Sequence, residues 1–397
     1  MRVDYHHSGT SSTESLSLDT VLQEGQWAGS RTNLVNWPDY GKYRFDVLDK
    51  ADGRLLFSQT YSTLFGEWQT TDEAKVSSRT FEETVRFPYP RAPVILRILS
   101  RNSKGRLVQV FETSIDPSTH LVRKTAAVRL AEVVTVNDGG DPSRALDIVV
   151  LIDGYTREQA EKARRDLARF ARVLLATRPF DSYRDRISIR GVLTWTEVTG
   201  PDEPRKRIFS GSALGTTFNT FDSERYLTTV RNRVLRDLAA QVPYDAIYVM
   251  VNTSRYGGAG IYNFFSIFVS DNEYDEYVFV HEFGHGFAGL GDEYFTSSVA
   301  YSEFYPPGVE PSEPNITALL SGARGLKWKA LATPGTPVPT PNEPAYDGQV
   351  GAFEGAGYAA KGLYRPALDC KMMSKKQIDF CPVCMEAVKS AILLYLE

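Results

Sequence analysis

Apolar and polar residues alternate in short runs over about residues 23–123. The runs that start at Tyr43 and Val94 read YRFDVL and VILRIL, and Asp-Gly, Ser-Lys-Gly and proline signals separate such runs. Alternation with period two places the apolar side chains on one face of a strand, and frequent turns are typical of a small sandwich. The pattern therefore predicts an N-terminal β-sandwich domain, which we assign to residues 1–135.

The pattern changes after a polar, glycine-rich stretch at residues 136–143. Residues 146–152 are a continuous apolar run, which predicts a buried strand, and residues 156–177 have apolar positions at helical spacing. Further strands are predicted at 187–198, 244–251 and 260–270, and further helices at 223–240, 275–288 and from about 382. Alternating strands and helices predict an α/β layer, whereas the chain beyond 289, rich in proline and glycine, predicts an irregular C-terminal subdomain. The expected fold class is an α+β multidomain chain, with residues 136–397 as its second domain.

Composition and charge argue against several functions. With 42% hydrophobic and 24% charged residues, the chain has the composition of a folded protein. Its net charge of −4 and its lack of a long basic run argue against nucleic acid or an anionic membrane as partner. No apolar stretch approaches the length of a transmembrane helix, and the first residues lack the apolar core of a signal peptide. The sequence alone leaves open a mature secreted form or a cytosolic protein, and we expect a monomer.

The predicted helix at 275–288 carries an HExxH motif, formed by His281, Glu282 and His285. Histidines four positions apart lie on the same face of a helix, so both imidazoles are able to reach one Zn²⁺ ion. The adjacent glutamate then faces the water on that ion and acts as its general base. The motif predicts a zinc peptidase site with Glu282 as the catalytic residue.

A third zinc ligand is expected shortly after Gly289, where the glycine predicts that the helix ends abruptly. The sequence has five histidines, and three of them lie before the second domain: His6, His7 and His120. The third ligand is therefore a different residue type, and two carboxylates follow the glycine. We predict Asp292 as the ligand, with Glu293 as the alternative, at a spacing one residue longer than the familiar metzincin pattern.

A methionine in a tight turn beneath the metal is a second metzincin feature. The segment Cys-Lys-Met-Met-Ser at 370–374 fits such a turn, and a thioether is a soft group that suits the floor of the site. We predict Met372 as the floor residue and Met373 as the alternate, while ordinary packing explains a methionine almost as well.

All three cysteines, Cys370, Cys381 and Cys384, lie within the last 28 residues. A redox role for the Cys-Pro-Val-Cys segment needs a thioredoxin-like setting, and a structural zinc site normally needs four Cys or His ligands, of which three are present. We predict a disulfide from Cys370 to Cys381 or Cys384, which leaves one cysteine over. Free buried thiols are the alternative.

Small residues between the third strand of the second domain and the HExxH helix predict a substrate cleft. Gly258, Ala259 and Gly260 allow close backbone approach of an extended peptide, although an ordinary glycine-rich loop has the same composition. Three tyrosines are candidates to donate a hydrogen bond to the oxyanion: Tyr294, Tyr358 and Tyr364.

With these residues in hand, the chain resembles the IgA-peptidase-type metallopeptidases, metallopeptidase family sixty-four. Members carry a HEFGHxFxGLxDEY-like motif, which reads HEFGHGFAGLGDEY at residues 281–294. Further similar segments lie at 350–355, 362–366, 370–373 and 380–384. The N-terminal region also looks like the β-rich domain that precedes the peptidase in this family.

This resemblance implies a secreted, periplasmic or cell-surface bacterial zinc endopeptidase, with His281, His285 and Asp292 on zinc and Glu282 as the base. It implies a protein or peptide substrate, such as a host or dietary protein, a glycoprotein or immunoglobulin A. Two alternatives stay open: a processing peptidase for one bacterial surface protein, and a non-catalytic protein that binds proteins or glycans.

Overall fold

The computed structural model describes residues 1–35, 37–124, 131–296, 305–376 and 378–396. The strands are β1 (Arg2–Gly9), β2 (Glu14–Gln23), β3 (Tyr43–Asp49), β4 (Leu55–Tyr61), β5 (Arg79–Arg86), β6 (Val94–Arg101), β7 (Leu107–Ile115), β8 (Val122–Lys124), β9 (Glu132–Asn137), β10 (Leu146–Asp153), β11 (Ile187–Leu193), β12 (Ala246–Val251), β13 (Gly258–Ile261), β14 (Phe265–Val269), β15 (Phe353–Ala356) and β16 (Ala359–Arg365). The α-helices are α1 (Leu64–Trp68), α2 (Asp72–Val76), α3 (Ala160–Ala176), α4 (Asn232–Ala239), α5 (Asp275–Ala288) and α6 (Pro382–Tyr395).

The N-terminal region is rich in strands, as predicted, and forms two four-stranded sheets. The strand orders are β5-β1-β2-β8 and β4-β3-β6-β7. Both sheets contribute to one core, which contains Val3 and Tyr5 from the first sheet and Phe45 and Ile98 from the second. Apolar side chains that alternate along each strand therefore face a common interior.

The first two strands begin well before residue 23, where the apolar alternation of the sequence begins. In β1 the buried positions include charged residues, which hide the period-two pattern. Arg2 donates to Asp4 at 2.7 Å, and His7 lies 2.9 Å from Glu83 on β5. Burial of these side chains is tolerated because each charge has a partner.

The second region contains a six-stranded sheet in the order β13-β14-β12-β10-β11-β9. Its four inner strands are parallel, and β9 and β13 run antiparallel at the two edges. The inner strand β10 is buried along its whole length. Helices α3, α5 and α6 pack on one face, and α4 packs on the other together with α1 of the N-terminal region. The fold is thus a mixed α/β architecture with several sheets, as predicted.

The predicted domain boundary between residues 135 and 136 falls inside strand β9 (Glu132–Asn137). This strand pairs with β11 in the six-stranded sheet. A division before Glu132 would keep the strand whole, whereas the exact division of the chain into domains stays a prediction.

Three predicted elements differ clearly from the observed ones. The strand predicted at 187–198 is β11, which ends at Leu193. The strand predicted at 260–270 is the antiparallel pair β13 and β14, because the chain reverses at Asn263, which has a positive φ of 52°. The helix predicted at 223–240 is helical only from Asn232. Before it, Tyr226 and Thr228 form isolated β-bridges with Gly258 and Thr217, so this stretch pairs with other segments instead of forming a helix.

Among the described helices, none is both long and apolar enough to cross a membrane. Between residues 305 and 376, five elements are short: three turns of 3₁₀-helix and the hairpin β15–β16.

Candidate active site

Helix α5 ends abruptly at Gly289, which adopts a left-handed conformation with a φ of +64°. The amide of Gly289 donates to the carbonyl oxygen of His285 at 3.0 Å, and that of Leu290 donates to Gly284 at 3.1 Å. A glycine at this position closes the last helical turn without strain. The chain therefore turns back, and the following residues return to the face that carries the two histidines.

Three side chains meet at this point, and we name His281, His285 and Asp292 the open cluster. The two Nε2 atoms lie 3.1 Å apart. Asp292 Oδ1 lies 3.0 Å from Nε2 of His281 and 3.2 Å from Nε2 of His285. Two imidazole nitrogens and one carboxylate oxygen thus converge on a single point, as metal ligands do.

The other ring nitrogens of the histidines fix their tautomers. His281 Nδ1 lies 3.1 Å from the carbonyl oxygen of Lys371, and His285 Nδ1 lies 2.5 Å from that of Leu290. A carbonyl oxygen only accepts hydrogen bonds, so each Nδ1 carries the proton and donates it. When the rings are neutral, each Nε2 directs its lone pair at the common point, which is the arrangement found in metal-ligating histidines.

The electrostatics of the open cluster favour a positive charge at the same point. Burial by itself would raise the pKa of Asp292, but the neighbouring His285 imidazole holds that pKa well below its ordinary range. Burial by itself would lower the pKa of His285, but the Asp292 carboxylate raises it to about 9. A divalent cation would supply the positive charge that both groups require, so the residues present fit a metal ion.

Glu282 faces the cavity that opens beside the cluster. This cavity has a volume of about 350 Å³, and its walls include all three members of the open cluster. Burial raises the pKa of Glu282 above its ordinary value, because a charged carboxylate loses hydration there. A higher pKa makes this carboxylate a stronger base once it is ionised.

The edge strand β13 forms another wall of the cavity. Gly258, Ala259 and Gly260 all lie in this wall, so the structure brings the three predicted cleft residues beside the open cluster. A Cβ atom on Gly260 would stand 2.2 Å from the carbonyl oxygen of Glu282, so a side chain there would push the strand away from α5. The glycine is needed because strand and helix are so close.

Met372 lies beneath the helix that carries the histidines. It is fully buried, and a Cβ atom placed on Gly284 would stand 3.0 Å from its sulfur. The segment turns tightly, because the amide of Met373 donates to the carbonyl oxygen of Cys370 at 2.8 Å. Met373 instead lines the cavity.

Glu293 points away from the open cluster although it follows Asp292 directly. Its side chain is fully buried and lies with the three cysteines, Cys370, Cys381 and Cys384. The predicted disulfide does not form, since all three cysteines are free thiols. The three sulfurs and one carboxylate oxygen of Glu293 lie within 4.8 Å of one another.

The three predicted tyrosines have different positions. Tyr294 and Tyr358 line the cavity, and the hydroxyl of Tyr358 donates to Oδ2 of Asp292. Tyr364 lies on β16 and is not among the described residues that line the cavity.

Several residues of the cavity wall were not predicted from the sequence. The Tyr277 hydroxyl lies 3.1 Å from Nδ1 of His281, four positions along the same helix, so helical spacing could have identified it. Glu67 comes from α1 of the N-terminal region, and its carboxylate accepts a hydrogen bond from the Tyr226 hydroxyl. No local sequence signal connects Glu67 with a motif more than two hundred residues away.

Comparisons with known proteins identify the family of this chain. A search of the curated proteins found no match. The family model described as Peptidase M64 N-terminus matches residues 1–112. The model described as IgA Peptidase M64 matches residues 134–346 and 342–392, which together are more than half of the chain and include every residue of the open cluster. The chain therefore belongs to the IgA peptidase M64 family and is a peptidase.

Proposed function

We propose that the protein is a metzincin-like zinc endopeptidase in which His281, His285 and Asp292 bind the metal and Glu282 is the general base. The observation that carries this proposal is the convergence of two Nε2 atoms and one carboxylate oxygen, all within 3.2 Å of one another, on the wall of a cavity. The open side of the cluster leaves room for water and substrate, as catalytic zinc sites require.

When bound, zinc supplies Lewis acidity, which lowers the pKa of water and polarises a peptide carbonyl group. Glu282 accepts the proton of the attacking water and passes it to the leaving amine. Tyr277 and the carbonyl oxygen of Lys371 hold the ring of His281, and Leu290 holds that of His285. Met372 packs beneath α5 and corresponds to the methionine of the metzincin turn.

The substrate binds as an extended chain along β13. This strand is an edge of the six-stranded sheet and lines the cavity, so an added strand would pass directly in front of Glu282. Tyr294 and Tyr358 line the same cavity and are our candidates to donate a hydrogen bond to the oxyanion. The substrates are extracellular proteins, with immunoglobulin A as one candidate, and the enzyme acts outside the cytoplasm.

The test compares the wild-type protein with Glu282→Ala on a diverse peptide mixture and on immunoglobulin A, with products identified by mass spectrometry. Loss of the base should lower the rate about 10²–10⁴-fold, while the metal content stays unchanged because Glu282 is not a ligand. Glu276→Ala is the matched control, since Glu276 is an exposed glutamate on the same helix. Equal cleavage by wild type and Glu282→Ala would refute the assignment of the base.

A further inference from the structure

The four residues Glu293, Cys370, Cys381 and Cys384 form what we name the closed cluster. One ligand atom from each of them lies within 4.8 Å of all the others, and all four side chains are buried. Zinc–sulfur bonds of about 2.3 Å place neighbouring sulfurs of a tetrahedral site about 3.8 Å apart. The observed spacing therefore needs only a small contraction to surround one ion.

The carboxylate of Glu293 lacks half of its expected hydrogen bonds. Its Oε1 accepts from Asn315 at 3.0 Å and from the Cys384 thiol at 3.0 Å. Its Oε2 is buried and accepts no hydrogen bond from any residue in the described part of the chain. A buried carboxylate oxygen without a partner is costly, and a cation would relieve that cost.

Burial raises the pKa of Cys370 and of Cys384, but three neighbouring features offset part of the cost of thiolates in the closed cluster. Cys381 caps the N-terminus of α6, and Cys384 lies in its first turn, where the helix dipole stabilises negative charge. The backbone amide of Cys381 donates to the sulfur of Cys370 at 3.1 Å. Burial raises the pKa of Glu293 well above its ordinary value, and the nearby guanidinium of Arg365 opposes that rise. A helix terminus, an amide and an arginine thus compensate part of the negative charge that thiolate ligands would bring.

A disulfide would satisfy this cluster less well than a metal ion. It would consume two of the three sulfurs and would still leave Oε2 of Glu293 buried without a hydrogen-bond partner among the described residues. A divalent ion that prefers sulfur takes all four ligands at once, and zinc is the common ion of this type. The Cys-x-x-Cys spacing at 381–384 is also typical of structural zinc sites, and Glu293 is the fourth ligand that the sequence alone does not reveal.

We propose that the closed cluster is a second, structural zinc site, separate from the peptidase centre. Binding displaces the protons of the three thiols into solvent and leaves a Zn²⁺ ion held by three thiolates and one carboxylate. The site joins three segments: the chain after α5, the turn at 370–373 and the start of α6. Because Glu293 follows Asp292 directly, this second ion also fixes the position of Asp292.

The first experiment measures metal and thiols in the wild-type protein. We expect two zinc ions per chain by native mass spectrometry and three titratable thiols after denaturation with a chelator. Replacement of zinc by Co²⁺ should produce a thiolate-to-cobalt charge-transfer band, which a site of two histidines and one aspartate does not give. One zinc ion per chain without that band, or a disulfide among the three cysteines, would overturn the proposal whether or not the protein is an active peptidase.

Variants then separate the two sites. Asp292→Asn should retain one metal ion and the thiolate band, whereas Glu293→Gln and Cys384→Ser should lose one metal ion and weaken or abolish the band. Glu313→Gln is the matched control, because Glu313 is a partly buried glutamate of the cavity wall that is outside the closed cluster. A band that survives in both Glu293→Gln and Cys384→Ser would exclude these residues as ligands, and if Cys384→Ser does not fold, the wild-type stoichiometry still decides.

Discussion

Two clusters of ligand-type side chains lie side by side in this molecule and differ in their access to solvent. The open cluster has two histidines and an aspartate on the wall of a cavity, whereas the closed cluster has three cysteines and a glutamate away from that cavity. They meet at adjacent residues, since Asp292 belongs to the first and Glu293 to the second. The segment 292–293 thus contributes one residue to the open cluster and the next to the closed cluster.

In the two metal sites that we propose, ligand type and access to solvent distinguish the catalytic site from the structural one. Catalytic metal sites keep an open position for substrate, and structural sites are closed by four protein ligands. The segment 292–293 is held from both sides, because the amide of Glu293 also donates to the carbonyl oxygen of Met372 at 2.9 Å. Met372 in turn packs under α5. The closed cluster therefore supports the geometry of the open one.

The largest expected effect comes from replacing Asp292 and Glu293, one at a time, with the corresponding amides. In Asp292→Asn the open cluster loses its anionic ligand, and the Lewis-acid contribution of several kcal/mol should disappear, which corresponds to about a 10³-fold or larger fall in kcat/KM. Compared with Asp292→Asn, Glu293→Gln should lower the melting temperature more and kcat/KM less. Peptide hydrolysis and thermal unfolding measured on both variants check this. Equal losses of activity in the two variants would mean that the acids serve one site.

A second prediction concerns Met372, which connects the two clusters. Because this side chain is fully buried, Met372→Ala should leave a cavity and lower the free energy of unfolding by about 2–5 kcal/mol. Met372→Leu conserves volume and should cost less than about 1.5 kcal/mol. Urea unfolding of both variants is the measurement. Similar unfolding free energies for the two would show that Met372 does not support the helix through packing.

A third, smaller effect is expected for Tyr358→Phe. The Tyr358 hydroxyl donates to Oδ2 of Asp292 and so orients this ligand. Loss of such a partner typically lowers metal affinity by about 10–100-fold. Competition with a chelating dye measures the affinity, and Tyr364→Phe is the matched control because Tyr364 lies outside the cavity wall. An unchanged affinity in Tyr358→Phe would remove the hydroxyl from the metal site.

The fold was predictable where one physical signal dominated. The buried strand β10 follows from a continuous apolar run, and helix α5 follows from apolar residues at helical spacing. Both elements lie where predicted. Strand β1 was missed because paired charges replace apolar residues at its buried positions. The long helix predicted at 223–240 was wrong in its first half, where Tyr226 and Thr228 form β-bridges and the helix begins only at Asn232.

The residues of the candidate site also fall into two groups: those that local sequence spacing identifies and those that depend on tertiary packing. The residues of the HExxH helix and of the turn after it were named from local spacing, and the structure places them together, although their roles stay proposals. Glu293 was named only as an alternative ligand, because its position among cysteines about eighty or ninety residues later depends on tertiary packing. Glu67 was missed for the same reason, since the N-terminal region brings it to the cavity only when the whole chain is folded.

The smallest expected effect concerns Glu67. Replacing this residue tests whether the N-terminal region, which contributes Glu67 to the cavity wall, also interacts with the substrate. Burial raises the pKa of Glu67 to about 7, so the carboxyl is neutral below this pH and negatively charged above it. As the pH rises through about 7, kcat/KM for peptides with a basic side chain beside the scissile bond should therefore increase relative to kcat/KM for neutral peptides. An ion pair of about 0.2–1 kcal/mol limits the gain to about fivefold. The ratio of kcat/KM for a matched lysine and norleucine peptide pair, measured from pH 6 to 8, should rise in wild type and stay flat in Glu67→Gln. The same rise in both proteins would show that the Glu67 carboxylate does not interact with the basic side chain of the substrate.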